Sequence, residues 1–428
     1  MDKTKKEAKG MLSPYRVLDL TDEKGLLCGK LLGDFGADVI KVEKPGGDPA
    51  RNLGPFYHDD PDPEKSLFWY AYSNNKRGIT LDIETADGQG LFKRLVKDAD
   101  FVIESFPPGY MDKLGLGYPA LEKVNPGVIM VSISPFGQTG PYKDYKAPDI
   151  VAWAMGGMMY ISGDPDRPPV RISYHSQAYL HVSVEAAAGA MSALHYRETS
   201  GGGQWVDVSI QEAVAQSVAF YLWDIEQFIG RRRGAGQFDF ASPQSGSQTT
   251  RFRVMRRWPC KDGYVTWFLW FGPMAKRHNP QLVKWMESEG LADDFLKNFD
   301  WSTFDATTAT QETIDRISEP IASFFRTRTK VKLHEGAAKH GIALAPVYSA
   351  ADILESIQLA DRGYWVEVSH PEIGTSITYP GVFTHTSEAP PKISRRAPLI
   401  GEHNYDIYHK ELCISDEDLI ILKEAKVI

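Results

Sequence analysis

Cysteine is scarce in this chain: Cys28, Cys260 and Cys413 are the only three in 428 residues. They are too few and too scattered for a disulfide framework or a four-cysteine zinc site, and none lies in a reactive sequence context. No run of about 18 apolar residues occurs, so no membrane span is expected. The basic stretch Met1–Lys9 leads into no apolar signal-peptide core. Positive charge is in deficit, with 48 Lys and Arg against 56 Asp and Glu and a formal charge of −8. A field of that sign repels polyanions. We therefore expect a soluble, cytoplasmic protein with neither nucleic acid nor membrane as partner.

Several chemical signatures are missing as well. There is no Gly-x-Ser-x-Gly elbow for a nucleophilic serine and no His-Glu-x-x-His pattern, and His175 and His181 are spaced onto different helix faces. No metal is expected. No phosphate loop occurs, and the dinucleotide-like string Gly234–Asp239 neither follows a clear strand nor opens a clear helix.

What the chain has is the composition of a folded protein, 42% hydrophobic and 24% charged, and a length that implies two or three domains. Its first third alternates β-rich and helical runs. Strands are expected at Arg16–Leu20, Asp38–Glu43, Gly78–Asp82, Asp100–Glu104 and Gly127–Ser134. Helices are expected at Leu26–Phe35, Thr85–Lys97 and Leu121–Val124. Such alternation gives βαβ units and an α/β fold, a Rossmann-like, doubly wound parallel sheet. Ligands of these sheets bind beyond the carboxyl ends of the strands, which directs attention to Glu43–Arg51, Glu104–Gly109 and Pro135–Asp149.

Further on, Gln177–Tyr196 reads as a helix stopped by Gly201, a strand follows at Trp205–Ile210, and a helix at Glu212–Phe228. The Arg- and Gly-rich stretch Gly230–Arg257 marks a junction to a smaller α+β domain. There a strand is expected at Tyr264–Phe271 and helices at Met274–Glu289, Gln311–Arg326 and Lys330–Gly341. The expected organisation is a large domain over 1–228, a linker and small domain over 229–345, and a segment over 346–428 that returns to the large domain. The arginines Arg231, Arg232, Arg233, Arg251, Arg253, Arg256 and Arg257 suit either a grip on carboxylates and phosphates or a solvated surface. After the last strand of the first third comes a Gly- and Pro-rich turn, Pro135–Pro141, and then Asp149 before an apolar helix. Such an aspartate is either a plain helix cap or a nucleophile at a strand-end crevice.

At this point the residues carry a family. The strings Arg16-Val-Leu-Asp-Leu20, Gly36-Ala-Asp-Val-Ile-Lys-Val-Glu43, Asn75-Lys76-Arg77, Gly115-Leu-Gly117, Phe136-Gly-Gln-Thr-Gly-Pro141 and Ala397-Pro-Leu-Ile-Gly-Glu-His403 occur in order. In them the chain resembles the class III CoA-transferases, the group of formyl-CoA and carnitine CoA-transferases. The resemblance implies an interlocked dimer and a covalent mechanism. Asp149 matches the aspartate that attacks an acyl-CoA thioester to form a mixed anhydride and then an aspartyl-CoA thioester, with Gln138, Gly137 and Gly140 stabilising the thioester oxygen. It implies that coenzyme A, entering as acyl-CoA, meets Lys41, Asn75, Lys76, Arg77 and Phe106, with Arg51 beside them.

The chain also departs from the family pattern. It has Gly25-Leu-Leu-Cys-Gly29 where many members have Ala-Gly-Pro, and Glu104-Ser-Phe-Pro-Pro-Gly109 without the usual arginine. It carries the single Gly246 where formyl-CoA transferase has a glycine run, so a lid would be built from Ser242–Ser247. The aromatic run Trp267–Phe271 with Trp258 suits either a pocket for an aryl group or a core. The expected reaction is transfer of CoA from succinyl-CoA to an aromatic or dicarboxylic acid such as benzylsuccinate. The alternatives are an acyl-CoA racemase, disfavoured because Pro148 rather than a histidine precedes Asp149, and a scaffold subunit paired with a paralogous chain.

Overall fold

In the computed structural model, residues 10–163, 167–218, 238–241, 252–306 and 308–428 are described, those of 238–241 and 252 as backbone only. The second half of the expected helix Glu212–Phe228, Met1–Lys9, Gly234–Gly236, Arg231–Arg233, Arg251, Ser242–Ser247 and most of Gly230–Arg257 lie outside them. The chain forms two compact units. The first is drawn from Met1–Gly156, Ser173–Ser217 and Ile357–Ile428, and the second from Gly157–Ile172 and Val218–Ser356.

The first unit is built on six parallel strands: β1 (Arg16–Leu20), β2 (Asp38–Glu43), β3 (Lys76–Thr80), β4 (Phe101–Glu104), β5 (Ile129–Ser134) and β6 (Trp205–Ser209). Their order is β3-β2-β1-β4-β5-β6, and every pair is parallel. The strands are apolar along most of their length because both faces are covered. Leu18, Ile40, Ile79, Val102 and Met130 point into one core layer with Leu91, Phe92, Leu95 and Leu121. On the other face helix α1 (Leu26–Asp34) approaches closely. A Cβ added at Gly29 would stand 2.2 Å from the Asp19 carboxylate, and one at Gly33 would stand 3.4 Å from Val39. Chain order reverses between β1 and β4, and this crossover opens the crevice in which ligands of such sheets bind.

Among the elements that differ from the sequence reading, three have a clear local cause. β3 begins two residues before the expected Gly78, because Lys76 sends its aliphatic stem inward to a buried carboxylate. Helix α2 (Leu67–Ser73) was not expected, since LFWYAYS has the aromatic content of a strand. It forms because the Ser66 hydroxyl caps it at Trp69 N, 3.2 Å, while Trp69 and Tyr70 pack against the hairpin Trp365–His370/Thr375–Pro380. The strand expected over Tyr264–Phe271 ends at Trp267, where the Asn279 side chain takes both backbone groups of Trp270.

Three further elements lead to the site: helix α3 (Asp149–Met155), helix α4 (Gln177–Ser200) and, following β6 directly, helix α5 (Ile210–Ser217). The outer edge of β3 is covered by residues from the C-terminal segment. Gly78 N donates to His403 Nδ1 (3.1 Å), Thr80 N to Asn404 Oδ1 (2.9 Å), and the Tyr408 hydroxyl to Thr80 O (2.7 Å). The Asn75 amide donates to Lys392 O at 2.8 Å.

The second unit has a three-stranded antiparallel sheet, Arg257–Cys260, Gly263–Trp267 and Leu344–Val347, with helices Pro273–Ser288, Gln311–Arg326 and Lys330–His340. Trp258 and Trp267 are 0% and 1% exposed and contact the Phe325 ring, so these two tryptophans are core and not pocket lining. Among the described residues no helix is long and apolar enough to cross a membrane.

Candidate active site

Asp149 is the first residue of α3 and is 5% exposed. Its Oδ1 accepts hydrogen bonds from Ala178 N at 2.7 Å and Tyr179 N at 3.4 Å. Both amides belong to the first turn of α4, a helix of 24 residues whose N-terminus carries partial positive charge. Amides and dipole together favour the ionised carboxylate, the form a nucleophile requires.

The loop after β1 lies against the same helix. The Ser183 hydroxyl, one turn below Tyr179, donates to Tyr179 O (2.8 Å) and Lys24 O (3.2 Å), which fixes residues 21–25. Across the β1/β4 crossover, the Ser105 hydroxyl donates to Asp22 Oδ1 (2.8 Å) and accepts from Asp22 N (2.9 Å). These two loops flank the β1/β4 crossover. Burial raises Glu23 above the usual carboxylate range, with Asp22, Asp149 and Asp48 adding to the rise against Lys24. Burial, followed by the charges of Glu23, Asp149 and Asp22, also raises the Tyr179 phenol. Glu104 closes β4, is 3% exposed and accepts from Phe106 N at 2.7 Å. Burial pushes its carboxyl up to about 7 against the hydrogen bonds of Ser132 and Phe106.

Pro135–Pro141 follows β5 as expected. Gly137 and Gly140 have φ of +84° and +91°, so the turn itself requires glycine at both positions. The Gln138 backbone N–H donates to both Asp207 oxygens, at 2.9 and 3.1 Å, which fixes the turn and leaves the Gln138 side chain uncommitted by that contact.

The residues expected to meet coenzyme A separate into three groups. Phe106 stands at the carboxyl end of β4, half-buried against Tyr110 with ring centroids 4.7 Å apart. Lys41, Arg51, Asn75 and Lys76 are internal. Lys41 reaches Asp48 at 2.9 Å and Thr21 O, and Lys76 reaches Asp19 and Leu26 O, both at 2.8 Å. Arg51 forks onto Glu43 at 2.6 and 2.8 Å and stacks on Trp69 at 3.9 Å. Asn75 joins Asp34 to Lys392 and Ser394. Burial lowers the Lys41 ammonium, but Asp48, Asp19 and Glu43 outweigh it and hold the group above its ordinary value. Arg77 belongs to the other end of the sheet, near the start of β3, paired with Asp38 at 2.6 Å and Glu411 at 2.5 Å. Lys44, absent from the sequence reading, is 53% exposed just beyond β2, where it pairs with Glu84 at 2.9 Å; the Tyr110 hydroxyl reaches Glu84 at 2.5 Å. Of the arginine cluster, Arg256 stacks on Phe268 at 4.4 Å.

Residues 12–404 match the sequence profile of CoA-transferase family III. The chain belongs to CoA-transferase family III. As a family III CoA-transferase it is an enzyme, and curated relatives resemble it over nearly their whole length. The succinyl-CoA:(R)-benzylsuccinate CoA-transferase subunit BbsE of Thauera aromatica is 35% identical over 92% of this chain and 93% of its own. The succinyl-CoA–D-citramalate CoA-transferase of Chloroflexus aurantiacus is 34% identical over 97% and 98%. The crystal structure of a CaiB/BaiF family protein from Brucella suis superposes with a TM-score of 0.78 at 26% identity, covering 94% of this chain and 99% of that one.

Glu23, Lys24 and the α4 amides were missing from the sequence reading. Nothing in the spacing of residues marks them, because their importance follows from β1 and β4 being neighbours, which is a property of strand order.

Proposed function

We propose that this family III CoA-transferase moves coenzyme A from succinyl-CoA to a dicarboxylic or aryl-substituted acid of the benzylsuccinate kind, with Asp149 as nucleophile. The observation that carries the reading is the Asp149 carboxylate held by Ala178 N and Tyr179 N at the head of α4, beside the β1/β4 crossover. The two relatives named above, both titled as succinyl-CoA enzymes for dicarboxylic acids, support the donor and the acceptor class.

The steps balance without any other reactant. Asp149 forms a bond to the donor's acyl carbon, the C–S bond breaks, and CoA leaves as thiolate. The thiolate attacks the Asp149 carbonyl of the anhydride, releasing succinate and leaving an aspartyl-CoA thioester. The acceptor carboxylate attacks that thioester and frees the thiolate, which takes the acceptor's acyl group and restores Asp149. Phe106 would face the coenzyme, with Lys41, Arg51, Asn75 and Lys76 as the framework beneath it and the Gln138 side chain, positioned by Gly137 and Gly140, near the acyl oxygen. Arg77, at the far end of the sheet, would act on the coenzyme through that framework. The reading keeps the division at 1–228, 229–345 and 346–428 and an interlocked dimer with a second copy or a paralogous chain, since BbsE is itself titled a subunit.

The test is peptide mass spectrometry after incubation with a panel of acyl-CoAs and a hydroxylamine quench. We expect a hydroxamate on Asp149 with succinyl-CoA and none in Asp149→Asn. Absence of label with every donor, together with α-proton exchange on a 2-methylacyl-CoA, would establish the racemase instead. Labelling that appears only with a paralogous chain, and on that chain, would make this one the scaffold.

A further inference from the structure

Between its C-terminal hairpin and residues 393–403 the first unit holds a cavity of about 440 Å³, within the size range of small-molecule sites. None of the lining residues belongs to the candidate active site. Val368, Pro371 and Ile393 give the cavity apolar surface. Most of its charged groups are engaged with one another. Glu402 accepts from both Arg396 amino groups, at 2.8 and 2.9 Å, and from Leu399 N at 2.8 Å, while Arg396 Nε reaches Glu372 at 2.8 Å. Glu367 takes the Thr378 hydroxyl.

Three donors are left over. Arg395 borders the cavity, and among the described residues no acid or carbonyl takes its guanidinium. Its backbone is nevertheless fixed: Arg395 N donates to Asn75 Oδ1 at 3.2 Å, and Arg395 O accepts from Asn75 N at 3.0 Å. Asn75 makes both bonds with φ of +61°, a left-handed conformation that asparagine tolerates better than most residues. His403 Nδ1 accepts from Gly78 N at 3.1 Å, so the neutral ring carries its proton on Nε2, the nitrogen turned away from that bond. The Ser369 hydroxyl, on the exposed face of the hairpin, has no partner among the described residues.

We propose that this cavity is a second ligand site, which takes a small organic acid with an apolar body and holds its carboxylate on Arg395, His403 and Ser369. The donors decide the class. A guanidinium offers parallel N–H groups that match the two oxygens of a carboxylate. One uncommitted cation balances a single negative charge, whereas the second charge of a phosphate would stand against Glu367 and Glu402 in the same lining. Val368, Pro371 and Ile393 accommodate a hydrocarbon body better than a hydrated one. Because Asn75 fixes the backbone of Arg395 and Gly78 fixes the His403 ring, few groups lose freedom when the acid binds. The site stands whether or not Asp149 is the nucleophile.

The experiment is isothermal titration calorimetry of the full chain with benzoate as probe, and with benzylamine and inorganic phosphate as controls. We expect saturable benzoate binding to the wild type, weakened about tenfold or more in Arg395→Gln, as removal of one charge-assisted pair implies. Ser369→Ala should weaken it about threefold. Benzylamine, with the same ring and the opposite charge, should give no saturable heat, and phosphate none that Arg395→Gln removes. The Arg395 side chain holds no other part of the fold, so Arg395→Gln without ligand should melt at the wild-type Tm, which separates lost binding from lost folding. Absence of saturable benzoate binding to the wild type overturns the proposal. Equal benzoate affinity in wild type and Arg395→Gln overturns it too, since any benzoate bound then sits elsewhere, the crevice at Asp149 included. Phosphate binding that Arg395→Gln weakens as much as benzoate binding overturns the assignment to a carboxylate.

Discussion

Glu104 offers the sharpest test of the electrostatics at the sheet's carboxyl end. It is 3% exposed, and burial raises its carboxyl from the ordinary 4.5 to about 7. Folding therefore increases its proton affinity. The sign follows: the stability associated with protonated Glu104 is whole below about 4.5 and is lost as pH rises through about 7. At about 1.4 kcal/mol for each factor of ten in proton affinity, the ionised form costs the folded state about 3 kcal/mol at alkaline pH. Glu104→Gln has nearly the same shape, keeps an oxygen to accept from Phe106 N, and does not titrate. Urea unfolding of both proteins should show similar midpoints at about pH 5, with the variant ahead by about 3 kcal/mol at about pH 8. A difference that is the same at both pH values would refute the argument and place the ionised carboxylate in contact with water or a cation.

Two other substitutions probe the framework. Lys76→Met leaves the fully buried Asp19 without its 2.8 Å partner, and urea unfolding should register a loss of about 3 kcal/mol or more, part of it recovered by adding Asp19→Asn. Gly137→Ala meets no atom closer than 3.5 Å, so its cost is the backbone strain at φ +84°, about 1 to 2 kcal/mol. Because that turn leads toward Asp149, kcat should fall by more than the stability loss accounts for, measured at a temperature where the variant is fully folded.

Much of the parallel sheet could be read from the sequence because its strands are short apolar runs bounded by turns, and β1 and β2 fall where the residues place them. Asp149 was readable as a carboxylate at a strand-end turn, and the family resemblance then singled it out. Charged residues were harder to place. Lys41, Arg51 and Lys76 look from sequence like groups waiting for a phosphate, yet each is committed to a buried carboxylate, and their partners Asp48, Glu43 and Asp19 gave no sign of this in the linear order. Arg77 follows Lys76 directly but pairs with Asp38 and Glu411 instead of Asp19, since neighbouring strand residues point to opposite faces.

The plugging of β3 by the C-terminal segment has a consequence for how the protein is made. The groups that cover the strand's outer edge lie 317 to 328 residues further along the chain. At about 5 to 20 residues per second, a ribosome delivers them roughly 15 to 60 s after β3 itself. Through that interval the nascent sheet presents bare backbone donors and acceptors at one edge, an invitation to pairing with other chains. The first unit can close only once residues 392–408 have been made, so truncations that remove residues 392–412 should yield aggregates, and chaperone demand should peak on long nascent chains.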